Sequence, residues 1–461
     1  MKLRHGLLAT AAALGIAAAA GQAQYVEDSI DVGGRFVGSL VYNSREDVLY
    51  GASDDGLFFA ISCDSDKVVG SFRLEYAFVV GYDSSDDKAY CSFICSPQAD
   101  DSLLVVDGVT HTRIKSIPMP GATLPVWDPI TDRMYVSCQT TDSVAVVDCA
   151  TDSLLMYIAV GACPVSMYAS TVRRKLYVLN TEDGTVSIVN MTTNQVIGTV
   201  HVGGTPNAGY YCKSADKLYS AGTYGQCIAI DGFSDTIVAH IPLTGNAEVR
   251  CARGNEEDGL VYLSAFTSSG DYVATVSARR DSVVATVTTG QRARDLDYSS
   301  GSGLLYCASD LTDEVFVVTG DGTRRLATLQ VGDYPLVFAL VPRHNRLYLG
   351  HWNTRYVYVI RDTSAGIAEP QSPRPGFNEA LSVTPNPFSR SVTVARSTPL
   401  KGGDLARVYA QDGRLVRQAQ ILAGQNRWVW DGRDESGKPL PPGVYVIEAG
   451  KGLRAKVVKL R

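Results

Sequence analysis

The residues of this 461-residue chain that could do chemistry are ten cysteines, six histidines and several Asp-rich turns. Cys91 and Cys95 stand four apart at a strand end, a spacing that suits two metal ligands, but no second pair completes a set. His111, His201 and His240 fall on or beside outer strands, and His344 and His351 lie near a second strand; this scatter lacks ligand spacing and reads as solvated surface. Asp54-Asp55-Gly56, Asp64-Ser65-Asp66 and Asp83 to Asp87 offer oxygens to calcium, but without the ordered alternation and distal Glu of a calcium loop. Asp favours such turns for local hydrogen bonding alone. The chain carries no G-x-S-x-G nucleophile motif, Gly-rich phosphate loop or H-E-x-x-H pair. The sequence therefore predicts no catalytic, cofactor-binding or metal-binding residues and no cofactor.

The elements that would position these residues are strands in a repeat. A Tyr preceded by an aliphatic or small residue recurs as Tyr50, Tyr90, Tyr135, Tyr177, Tyr219, Tyr262, Tyr306 and Tyr348, at spacings of 40 to 45. Each unit holds four short runs rich in Val, Ile and Tyr, separated by polar turns, as in Val165–Ala169, KLYVLN (175–180), TVSIVN (185–190) and QVIGTVHV (195–202). Four strands at this period make a propeller blade. The third run occurs eight times, but the fourth only seven times after its own third run. The segment YVEDSIDV (25–32) supplies the missing one, which predicts a ring closed by an N-terminal strand near Ser29–Val32 beside Tyr356–Ile360. An aromatic stands eight or nine residues before the repeat Tyr at Tyr42, Tyr82, Trp127, Tyr168, Tyr211 and Tyr298. Its regularity predicts packing between blades.

The stretch from Val160-Gly161 through Pro164 to QVIGTVHVGGTP resembles the bacterial YVTN-type propeller repeats, which also resemble lactonase-like propellers. The VG-x-x-P element recurs at Gly203–Pro206 and Gly332–Pro335. The resemblance covers roughly residues 25–362 and implies a fold rather than a function. It implies seven blades, whereas the repeats number eight, so eight blades is the expectation and seven the alternative.

Lys2 and Arg4, an Ala-rich run from Leu7 to Ala20, and Gly21-Gln22-Ala23 read as a signal peptide over 1–23. The run is too short and weakly apolar to span a bilayer, and no later segment qualifies. Such a leader places the chain outside the inner membrane, secreted or at the cell surface, where its cysteines could pair, although no bridge is assigned. Residues 363–380 read as a linker bearing Pro, Ser and Gly. Residues 381–461 hold seven strand-like runs, beginning near Leu381, Ser391, Leu405, Leu415, Arg427, Gly443 and Leu453, as in a small Ig-like sandwich. LSVTPNPFS (381–389) with WDGRDESGKPLPPGVYVI (430–447) resembles the Ig-like module of flagellar hook-capping proteins and the sorting domains of type IX secretion cargo. Trp430 and Tyr445 are expected in its core.

The tail carries a net charge of +8 against −6 for the whole chain, which leaves −16 for residues 25–380 once the +2 leader is set aside. An acidic body disfavours nucleic acid. The chain is all-β in this reading. The domains are 1–23, a propeller over 24–362, the linker, and a sorting or attachment domain over 381–461. The expected function is an exported, cell-surface-associated, non-enzymatic binding or scaffold protein, monomeric. It would engage a protein or glycan through the propeller, and the secretion machinery through the tail. A lactonase-like or other propeller hydrolase and a structural surface-layer component are the alternatives.

Overall fold

The computed structural model describes residues 24–362, apart from 54, 74–78, 93–101, 224 and 290. It also describes residues 381–460, apart from 385–387, 389, 397–404, 411–413, 421–426 and 450–452. The leader and the linker expected from sequence lie outside the described residues. The chain divides into two compact units at residue 368. Among the described residues no helix is long and apolar enough to cross a membrane.

The first unit is all-β and propeller-like. It consists of eight four-stranded antiparallel sheets. Seven are built from consecutive strands, the first being Val37–Asn43, Val48–Ser53, Leu57–Ser62 and Lys67–Arg73. The eighth joins Pro335–Val341, Arg346–His351 and Tyr356–Arg361 to Tyr25–Asp31 from the other end of the unit. There Ser29 lies opposite Tyr358, and Asp31 opposite Tyr356. Glu27 on that strand accepts from both Nε and Nη2 of Arg346 at 2.9 Å. The first strands of successive sheets touch in cyclic order, the eighth meeting the first. They line the centre.

The pattern of each sheet follows from burial. Second and third strands are apolar on both faces because each sheet is covered by neighbours on both sides. Leu57–Ser62 is buried at every position but the last. Outer strands alternate, as Lys67–Arg73 does, because one face meets water.

The repeat Tyr is what joins one sheet to the next. All eight are fully buried. Their hydroxyls reach the turn after the third strand of the following sheet. Tyr90 donates to Asp152 (2.8 Å), Tyr135 to Asn194 (2.8 Å), Tyr219 to Asp281 (2.6 Å) and Tyr306 to Asp362 (2.7 Å). Tyr348 donates to Asp66 of the first sheet (2.6 Å), and Tyr50 to the Gly108 carbonyl (2.9 Å). Tyr262 donates to the Gly320 carbonyl. A cation two residues before the Tyr often meets the same carboxylate: Lys88 with Asp152 (3.0 Å), Lys217 with Asp281 (2.6 Å) and Arg346 with Asp66 (3.0 Å). Tyr177 departs from the pattern. Its hydroxyl has no partner, and Lys175 alone holds Asp235 at 2.7 Å. Asp66, Asp152, Asp235 and Asp281 all have positive φ, a conformation that Asp tolerates better than most residues.

Register separates two sets of aromatics that look alike in sequence. Tyr42, Tyr82, Trp127, Tyr211 and Tyr298 pair with Leu49, Ala89, Met134, Leu218 and Leu305, one step from the repeat Tyr. Three of them meet the repeat Tyr of the preceding sheet: Tyr82 lies 6.3 Å from Tyr50, Tyr211 5.7 Å from Tyr177, and Tyr298 5.8 Å from Tyr262. Tyr168, grouped with them by spacing, also packs against the core shared with the next sheet, but from a different register. It stands directly opposite Tyr177 and lines the central cavity. One residue of slip moves a side chain to the other face of a strand.

The second unit has two sheets. One holds Leu381–Thr384, Val392–Arg396 and Arg427–Trp430; the other holds Leu405–Ala410, Leu415–Gln420, Gly443–Ala449 and Leu453–Lys459. Both contribute to one core, in which Trp430 lies 5.4 Å from Phe388 and 5.2 Å, edge-on, from Tyr445.

Tyr219→Phe keeps the buried ring but removes the bond to Asp281. It should lower stability by about 1–2 kcal/mol, read as a lower urea midpoint with unchanged slope. An unchanged midpoint would show that the seam is held by apolar packing alone.

Candidate functional site

The first strand of each sheet has no neighbour on its central side, so its backbone groups need other partners. Side chains of the preceding sheet supply some of them. Ser39 Oγ accepts from the Val80 N–H (3.1 Å), Tyr168 Oη from Gly209 (2.8 Å) and Asp295 Oδ2 from Phe338 (2.9 Å). Ser166 Oγ donates to the Asn207 carbonyl at 3.0 Å.

These strands also share an irregularity. Pairing with the second strand slips after Val37, Pro164, Pro206, Val249, Ala293 and Pro335. The residues passed over include Gly38, Asn207, Arg250, Cys251, Arg294 and Leu336, and all of these line a central cavity of about 530 Å³. A bulge leaves a residue unpaired and re-aims it. Here the repeat of the bulge turns one residue from each of several sheets toward the centre.

The charged part of the cavity comes from the sixth and seventh sheets. Arg253 donates to Asp295 Oδ1 at 2.9 Å while 43% of its side chain stays open to the cavity. Asp295 also receives the Cys251 thiol at 3.2 Å. Asp297 follows two residues on, and burial pushes its carboxyl up to about 6 against the pull of the Arg253 charge. Arg292 and Arg294 flank fully buried Asp310 at 3.7 and 3.4 Å. Burial raises the Asp310 carboxyl, and the two arginines oppose that rise.

At one end the cavity meets an open pocket of about 740 Å³, with Arg250 in the wall of both. Its lining alternates donors and acceptors, including Asn246, Glu248, Asp271, Gln291 and Arg292, beside Phe266 and Leu311. The residue just before a first strand repeatedly has positive φ: Phe36, Cys163, Arg292 and Tyr334 at 59°, 55°, 56° and 61°. Three are held by an Asp from the turn between second and third strands. Cys163 N–H donates to Asp142 (2.9 Å), Arg292 N–H to Asp271 (2.7 Å) and Tyr334 N–H to Asp313 (2.9 Å). Phe36 instead packs edge-on against Trp352 at 5.0 Å.

The residues singled out from sequence lie elsewhere, and some reverse their expected setting. His351, expected on the surface, is fully buried at the end of its strand, and burial pushes its imidazole down to about 4. His111 is half-buried, 5.8 Å from Tyr50, and His344 Nε2 meets Asp47 Oδ2 at 2.7 Å. His201 and His240 do lie on exposed faces of outer strands. Cys91 is a buried thiol, and Cys95 lies outside the described residues. No disulfide joins any two of the nine described cysteines. The Asp turns bind across sheets as well as locally, since Asp87 receives Asn43 Nδ2 at 2.8 Å. Sequence reasoning missed Arg250, Arg253, Arg294, Asp295 and Asp297. The two strands that carry them open at Glu248 and Ala293, and nothing in their sequence marks the slip of pairing.

No family model matches the chain, and no curated protein matches it. Solved structures do. The computationally designed Ika8 protein aligns with a TM-score of 0.57 at 11% identity, over 72% of this chain and 98% of its own. The dihydro-heme d1 dehydrogenase NirN in complex with DHE, a propeller, aligns with a TM-score of 0.55 at 11% identity, over 65% of this chain and 67% of its own. At this identity the likeness is one of fold.

The Asp297 carboxyl, near 4 when unfolded and about 6 when folded, binds more protons in the native state between those values. Its contribution to stability therefore falls as pH rises through that window. Asp297→Asn removes the effect, so variant stability minus wild-type stability should grow by about 2 kcal/mol from pH 4 to pH 7. A pH-independent difference in paired urea titrations would show that the carboxyl titrates normally.

Proposed function

We propose that this protein is an exported eight-bladed β-propeller, its ring completed by Tyr25–Asp31, that binds a glycan non-enzymatically at the rim of its channel. Eight sheets in cyclic contact and the shared eighth sheet support the architecture. The observation that carries the function is the open pocket beside the left-handed rim. Holding bulky residues at positive φ costs about 1–3 kcal/mol each, and such strain gathers at ligand clamps. Phe36, Arg292 and Tyr334 are held so at equivalent positions. Donors and acceptors alternate in the pocket, Arg250 and Arg292 against Glu248 and Asp271. A polyhydroxylated ligand, which both donates and accepts, suits that lining better than a simple anion does. Phe266 adds an apolar surface for a sugar ring.

A second reading rests on Asp297. A carboxyl held near 6 beside Arg253, a residue that lines the cavity, is poised for proton transfer, which favours a propeller hydrolase.

Glycan-array binding by the full chain tests the first reading. Arg250→Ala should weaken a positive glycan signal at least tenfold without lowering the melting temperature, and Asp297→Asn should leave it intact. Array-negative protein that hydrolyses lactones, with activity lost in Asp297→Asn, would establish the second reading instead.

For the second unit we propose an Ig-like sandwich that directs secretion or surface attachment. Its seven strands, its Trp430–Tyr445 core and its basic charge support that role. Truncation after Ala380 in the native host should retain a folded first unit in the periplasm. Normal amounts at the surface or in the medium would refute a sorting role.

A further inference from the structure

At two seams the last residue of a first strand has a matched partner in the next sheet's first hairpin. Asn43 donates to Asp87 at 2.8 Å. Asp128 receives both nitrogens of the Arg174 fork, at 2.7 and 2.6 Å. The seam between the second and third sheets departs from this pattern. Its residue is Asp83, and facing it are Asp132 and Cys149, with one ligand atom from each of the three within 4.8 Å of the others.

Asp83 is fully buried. Its Oδ1 accepts from the N–H of Ser85 (2.7 Å) and from Ser85 Oγ (2.8 Å). Its Oδ2 is buried with no partner. An unsatisfied carboxylate oxygen in that setting is costly. The cation nearest in sequence does not relieve it. Lys88 is committed to Asp152 at 3.0 Å and to the Cys149 carbonyl at 2.6 Å. Two carboxylates and a thiol thus converge where neighbouring seams place a donor or a cation.

We infer that Asp83, Asp132 and Cys149 form a binding site for a divalent, borderline-soft cation of the zinc type. The thiol disfavours calcium and magnesium, which take oxygen ligands. Three protein ligands would leave a fourth position for water, the pattern of an open zinc site. Asp132, half-buried where its partners are fully buried, gives the approach from solvent. Ser85 orients the carboxylates, since its Oγ also lies 2.7 Å from Asp132 Oδ1. Trp127 Nε1 donates to the same oxygen at 3.2 Å, which fixes one side of Asp132 from behind. Binding displaces the Cys149 proton, which burial and the two carboxylates otherwise hold on sulfur.

The test is a titration of the chelator-treated full chain with Co2+ alone, followed by Zn2+ alone. Saturable binding of one Co2+ with a thiolate-to-cobalt charge-transfer band is expected. Cys149→Ala should abolish the band, and Asp132→Asn should weaken binding at least tenfold. Zn2+ should raise the melting temperature by several degrees in the wild type and not in Cys149→Ala. Asp132→Asn keeps a side-chain carbonyl to receive Trp127, so it serves as the folded control should the buried variant misfold. The inference fails if no band forms, or if the band persists in Cys149→Ala. It also fails if metal-free Asp132→Asn is simply more stable with an unchanged response to zinc, which would mark the seam as a protonated carboxyl pair.

Discussion

A tyrosine hydroxyl reaching across a seam to the turn of the next sheet is the interaction on which the rest of the first unit depends. A four-stranded sheet with two apolar faces cannot stand alone in water. It must be covered on both sides, and its neighbours have the same need. Apolar faces alone would let the sheets slide, because burial is non-directional. The hydroxyl and its frequent companion cation convert that contact into a fixed register. At three seams they do so by meeting a carboxylate, Asp66, Asp152 or Asp281, whose own backbone is locked in a left-handed turn. Repeated around the unit, the linkage fixes the relative height of every first strand, and so the shape of the centre.

The centre inherits its chemistry from that regularity. First strands that are held at one height, several of them slipping near the start, deliver extra residues to a common cavity. Where the extra residue is Gly38, Asn207 or Leu336 the wall is plain. Where it is Arg250 or Arg294 the wall is charged. A repeat of this kind separates framework from site: the second and third strands keep the sheets together, while the bulge position is free to vary in chemistry.

Much of the framework was legible in the sequence. The repeat Tyr and the third apolar run are visible because full burial on two faces suppresses polar residues over five or six positions. The seven runs of the tail match the seven strands described there, and Trp430 and Tyr445 lie in their shared core. The site was not legible. Arg253, Asp295 and Asp297 fall in two repeats, and their contact depends on a slip of pairing that spacing does not reveal. Tyr168 shows the difficulty well. A difference of eight against nine residues to the repeat Tyr reads as noise, yet it puts the ring in the cavity wall as well as at a seam. His351 was misjudged because a histidine carries no sequence mark of burial; its strand closes over it only when Tyr358 stacks 4.6 Å away. The Lys-x-Tyr pairs at 88–90, 175–177 and 217–219 were in plain view, but their partner carboxylates lie about sixty residues downstream.

The eighth sheet has a consequence in time rather than in space. Its outermost strand is among the first parts of this unit to be synthesised, and its partner is the last. Glu27 and Arg361, which bond there, are 334 positions apart. A chain that emerges N-terminus first must therefore carry Tyr25–Asp31 as an unpaired edge while seven other sheets assemble. Such an edge invites the wrong partner for as long as it waits. Its acidic residues, Glu27, Asp28 and Asp31, make it a poor template for self-association during that interval. The same charges then find Arg346, Arg355 and Arg361 on the strands that arrive last.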